Sequence, residues 1–237
     1  MTFQGSHTVK SFDDDLRTLR SMIGEMGGLA RAQIDGGVAA LLALDQDAAD
    51  AVVSADRRID ELELEAESFA ISIIARRSPL AQDLREVIAA LKIGGVIERI
   101  GDYGKNIAKR VDSIADSNYR AANSSIEQMG RLVSAQVDDA LRAFVERDPY
   151  LARAISDEDQ AIDDYYESLF QDLLGRIVAD PQSTTPITHL IFVIKNLERV
   201  GDHATNIAEM VHYGATGEYI GERPKGGDAT GLTQSRI

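Results

Sequence analysis

The chain has 237 residues, 39 of them acidic against 25 basic for a formal net charge of −14, and no cysteine. This length and a 44% hydrophobic content allow one large buried core or two small ones, while the missing thiols exclude disulfides, iron–sulfur clusters, thiolate nucleophiles and cysteine-ligated zinc. The acidic excess disfavours nucleic acid and anionic lipid as partners and favours cations and basic protein surfaces.

The opening MTFQGSHTVKSFDDDL has no basic stretch followed by an apolar one, and the longest apolar run, Val38 to Leu44, is too short to cross a bilayer. A cytoplasmic chain without direct membrane insertion is expected. Ala, Leu, Ile, Arg, Glu and Asp then fill long stretches without strand-like alternation, which predicts helix throughout. Pro79, Pro149, Pro181 and Pro186 mark starts or breaks. The predicted helices are 12–44, 47–76, 80–112, 125–147, 149–178 and 187–212. The fold class is therefore all-α, with two tandem three-helix bundles over 1–112 and 125–212, a polar linker over 113–124, and a flexible glycine-rich tail over 213–237.

The two halves repeat one another. At an offset of 103, LARAQID ending at Asp35 meets LVSAQVD ending at Asp138, Asp45 meets Asp148, and DRRID from Asp56 meets DQAID from Asp159. At an offset of 100, ERIGDYGKNIAKRV from Glu98 meets ERVGDHATNIAEMV from Glu198, with 8 of 14 positions identical. The identities fall on charged and small residues rather than on exchangeable core positions.

Those residues suggest chemistry. Glu98, Asp102 and Asn106 are spaced i, i+4, i+8, which keeps them within about 80° on one helix face, and Glu198, Asp202 and Asn206 repeat the pattern. The preceding helix of each half adds a pair, Asp56 with Asp60 and Asp159 with Asp163. Like charges at i, i+4 repel. Such pairs are common on solvated faces, but four of them at matched positions in two copies suit a hard cation held by carboxylates from adjacent helices. Iron, manganese, zinc and magnesium all remain open. Gly101 and Gly201 inside the last helices suggest close approach of another backbone, Arg99 and Arg199 offer salt bridges, and His203 is placed to reach the same ion or simply to pack. No catalytic triad, glycine-rich phosphate loop or dinucleotide fingerprint is present, so an enzyme is not expected.

With its doubled Glu-x-x-x-Asp motif, the Met-Gly-Gly at 26–28 and ARRSPLAQDLR at 75–85, the chain resembles the PhoU family over nearly all of 12–212. The resemblance implies a cytoplasmic, often dimeric regulator that restrains the phosphate-starvation response, acting between the Pst phosphate transporter and a sensor histidine kinase. It also implies metal binding at Glu98, Asp102, Glu198 and Asp202; Asp56, Asp60, Asp159 and Asp163 are the extension from spacing. The second copy departs from the first where Ser183, Thr184 and Thr185 stand against Asp83, Leu84 and Arg85. Two other readings compete: a helical adaptor that binds no metal, and a carboxylate-bridged di-iron oxidoreductase. The latter normally needs two Glu-x-x-His motifs, and only Glu209 to His212 fits.

Overall fold

In a computed structural model, the described residues are 4–115, 122–158 and 160–220. They form α1 (Gln4–Ala43), α2 (Gln46–Arg77), α3 (Ala81–Ala108), a short α4 (Val111–Ala115), α5 (Asn123–Glu146), α6 (Pro149–Glu158), α7 (Gln160–Ala179) and α8 (Thr184–Thr216), with one 3₁₀ turn, Pro181–Ser183. No strand occurs among the described residues. The expected all-α fold and its three-plus-three arrangement are found. α1, α2 and α3 pack together, as do α5, α6, α7 and α8. α1 lies against α5 and α3 against α8, which joins the two bundles through a shared layer.

Several boundaries differ from expectation. The third helix stops at Ala108 and restarts as α4, so 113–115 are helical rather than linker, and α5 already begins at Asn123. The rest of the expected linker, 116–121, lies outside the described residues. The last helix extends past 212 to Thr216, where Gly217, at φ 80, caps it and Tyr219 stacks on Tyr213 with ring centroids 4.5 Å apart. Residues 213–216 are therefore helix, not tail; residues 221–237 lie outside the described set. α6 and α7 fill the place of the expected fifth helix.

The duplication extends to the turns. Leu44 and Arg147, 103 apart, both take left-handed backbone angles (φ 56 and 58), and the aspartate after each caps the next helix. The Asp45 carboxylate accepts from Ala48 N–H at 3.0 Å, and that of Asp148 from Tyr150 and Leu151 N–H at 2.9 and 3.1 Å.

The contacts between halves are also related by the repeat. Arg31 pairs with Asp138 at 3.4 Å, and Ser134 donates to Asp35 at 2.7 Å; exchanging each residue for its copy turns one contact into the other. At the α3–α8 crossing Tyr103 meets its own counterpart His203, with ring centroids 5.4 Å apart. A local twofold passes through both crossings. Buried side chains run without interruption from Leu16 to Val211, so the two bundles share one core.

The first bundle is drawn tight by glycine. A Cβ on Gly104 would lie 2.7 Å from the Gln33 carbonyl carbon and 2.9 Å from Ile34 N, and one on Gly37 would lie 2.7 Å from the Gly104 carbonyl oxygen. The close backbone approach expected at Gly101 thus falls one turn later, at Gly104. Gly101 and Gly201 instead make room for side chains: Ile59 and the Gln33 amide in one half, Ile162 and the Gln136 amide in the other.

Candidate metal centre

Among the described residues, each half brings the motif of its last helix against at least one aspartate of the helix before it. In the first half Glu98 and Asp102 of α3 face Asp56 and Asp60 of α2. Asp56 is buried, because its neighbour Ile59 fills the core and turns that face of α2 inward. With its amide oriented to satisfy both ends, buried Gln33 of α1 donates to the Gly101 carbonyl at 2.6 Å and accepts from Asp56 N–H at 2.9 Å, fixing α1, α2 and α3 to one another.

Here a lysine has entered. Lys105 contacts both the Asp56 and the Asp102 carboxylates. Burial works against its ammonium, but hydrogen bonds and charge from Asp102 and Asp56 outweigh that and hold it above the ordinary lysine range. Glu98 also shifts upward, but for a carboxyl this favours the neutral form. Burial, followed by the charges of Asp102, Glu63, Asp60 and Asp56, pushes its carboxyl from an ordinary 4.5 up to about 7.

In the second half Asp163 of α7 meets Glu198 and Asp202 of α8. Each offers one carboxylate oxygen, and the three oxygens lie within 4.8 Å of one another. Among the described residues no other group of three metal-ligating side chains comes so close. Lys195 pairs with Glu198 at 2.6 Å, yet Glu198 Oε2 is buried with no hydrogen-bond partner among the described residues. An oxygen-only set with an unsatisfied buried carboxylate oxygen fits a hard cation of the magnesium, manganese or iron kind better than zinc, which favours nitrogen and sulfur. Asp159, the fourth expected ligand of this half, lies outside the described residues.

The other expected residues take up different work. His203 sits between the halves rather than in the cluster, its Nε2 3.5 Å from the Tyr103 hydroxyl and its Nδ1 3.5 Å from the Asn206 amide. Burial first, then Arg99 and Arg199, lower its pKa. Arg199 lies 5.9 Å from the Tyr103 ring, and neither arginine makes an ion pair among the described residues. His212 turns toward the Glu218 carbonyl at 3.0 Å on the exposed end of α8 and belongs to no group of three ligating side chains among the described residues. Lys105, Lys195, Glu63 and the glutamines were missed as site residues. Only Gln33 and Gln136 left a trace, being identical at the offset of 103.

An all-helical duplicated bundle, with acidic side chains gathered between its last two helices, defines a helical-bundle repeat protein. The PhoU domain matches at residues 23–111 and again at 126–211. The chain belongs to the PhoU family, whose members are accessory and regulatory proteins without enzymatic activity. A phosphate-specific transport system accessory protein PhoU homolog of Zymomonas mobilis is 46% identical over 94% of both chains. Its counterpart in Caulobacter vibrioides is 43% identical over 92% of this chain and 96% of its own. The crystal structure of PhoU from Pseudomonas aeruginosa superposes with a TM-score of 0.84 at 32% identity, covering 87% of this chain and all of that one.

Proposed function

We propose that the chain is a metal-binding negative regulator of phosphate uptake, an accessory of the phosphate-specific transport system that links the Pst transporter to a phosphate-sensing histidine kinase. The observation that carries the phosphate role is 46% identity, over 94% of both chains, to a relative named as an accessory of that system. A cytoplasmic homodimer is the form proposed. No helix of the described residues is long and apolar enough to cross a membrane, so contact with a transporter runs through protein surfaces. The net charge of −14 favours basic faces on those partners.

Asp163, Glu198 and Asp202 would hold the metal in the second repeat, and Asp56, Asp60, Glu98 and Asp102 are the corresponding set in the first. A bound cation would neutralise crowded carboxylates and fix α7 on α8. What the chain itself contributes is placement: Ile162 packs beside Gly201 and so sets the height of Asp163 against Glu198. Deleting the gene should raise alkaline phosphatase, or another starvation marker, in phosphate-rich medium, with restoration by the wild-type gene. A marker that stays repressed would remove the regulatory reading. The adaptor without metal gains one point of support, since the first repeat already supplies its own cation in Lys105.

A further inference from the structure

In the first repeat the space between the two carboxylate-bearing helices is taken by an ammonium group. Lys105 reaches from α3 to Asp56 on α2 while also holding Asp102 of its own helix. Its side chain is 20% exposed and that of Asp56 only 9%, so this is an enclosed bridge rather than a surface ion pair. A divalent ion chelated by α2 and α3 requires the same oxygens. It would have to expel Lys105 and leave a cation without its two partners in a half-buried place.

The second repeat is built differently at the corresponding positions. Thr205 stands where Lys105 does, uncharged and buried, its hydroxyl accepting from the Gln136 amide at 3.3 Å. The ammonium there comes from Lys195, one turn before Glu198 on the same helix, 41% exposed and 5.1 Å from the Tyr166 ring. Lys195 can swing into solvent without separating two helices. In the first repeat glycine occupies that position, and Glu63 crowds it from α2 with an oxygen 3.4 Å from where a Cβ would be.

We propose that Lys105 is an internal cation that occupies the carboxylate site of the first repeat in place of a metal, so that each chain binds one divalent ion, at Asp163, Glu198 and Asp202. This rests on the metal-binding reading above and adds to it which repeat is loaded and why. Lys105 is then the residue that decides stoichiometry, and replacing it with the threonine of the second repeat should open a second site.

Titration calorimetry with Mn²⁺ on the metal-stripped full chain tests this. The wild type should bind one Mn²⁺ per chain, with affinity falling at least tenfold in Glu198→Gln and unchanged in Asp102→Asn. Lys105→Thr should bind two, the second lost when Asp102→Asn is added. Lys105→Gln, which keeps much of the lysine's volume, gives the same readout should the threonine variant fail to fold, and circular dichroism shows which variants are folded. Two equivalent ions on the wild type, one ion lost in Asp102→Asn, or folded Lys105 variants that still bind one would each overturn the proposal while leaving metal binding intact. Folded wild type and Lys105 variants that all bind none would instead remove the metal-binding reading itself, and the proposal with it.

Discussion

Glu98 shows how the acidic stripe acts on single side chains. Its carboxyl titrates near 7 in the folded protein against an ordinary 4.5, so between those values the native state holds a proton that the unfolded chain has released. The contribution of Glu98 to native stability therefore falls as pH rises from about 4.5 through 7, the opposite of the usual carboxylate behaviour. Glu98→Gln has no proton to lose, and its denaturation midpoint in metal-free buffer should be flatter across that window. Parallel profiles for variant and wild type would mean that Glu98 is not crowded as described. At Gly104 the constraint is steric instead. A methyl group there meets the backbone of Gln33 and Ile34, neither of which can rotate away, so Gly104→Ala should cost about 1–3 kcal/mol in a urea melt. Gly28, whose added Cβ would meet nothing within 4 Å, supplies the control: there alanine should stabilise or be neutral.

At the scale of elements, the repeated caps give a clean test. Asp45→Ala and Asp148→Ala each remove the acceptor at a helix start and should each cost about 1 kcal/mol. α1 and α5 run antiparallel, so the two caps lie at opposite ends and their costs should add within about 0.5 kcal/mol in the double variant. A single variant as stable as wild type would mean that its cap is not formed, and a strongly non-additive double variant would mean that the two ends are coupled. Helix existence was legible in the sequence because long apolar periodicity and proline punctuation act locally. The break at Lys109 and Arg110 was not, since no glycine or proline marks it and Ala108 and Val111 on either side are both buried. The carboxylates of the site were legible as a repeated pattern. Lys105 was not: its role depends on a reach from α3 to α2 that spacing along one helix cannot reveal, and the repeat comparison reads it only as a mismatch with Thr205. The same holds for Gly101 and Gly104, where the sequence indicates that something approaches but not whether it is backbone or side chain.

For the whole molecule, the shared layer means that neither repeat has a finished surface. Leu141 fills the space over Gly27, Val38 packs on Gly130, and Arg110 lies 4.7 Å from the Phe192 ring, all across the seam. A fragment ending at residue 115 would expose that face of α1 and α3, and should show no cooperative thermal transition by circular dichroism. A sharp melt from the fragment would refute the single-core description. The seam also carries a trace of how such a molecule is assembled. Two identical subunits meeting on a twofold axis place each on-axis residue against a copy of itself, so it must be its own complement. Joining the copies in one chain lifts that condition. On this axis stand a tyrosine and a histidine, a hydroxyl 3.5 Å from a ring nitrogen, a donor–acceptor combination that no symmetric homodimer of half-length chains can place there. The covalent link therefore lets the two halves differ at the point where they touch.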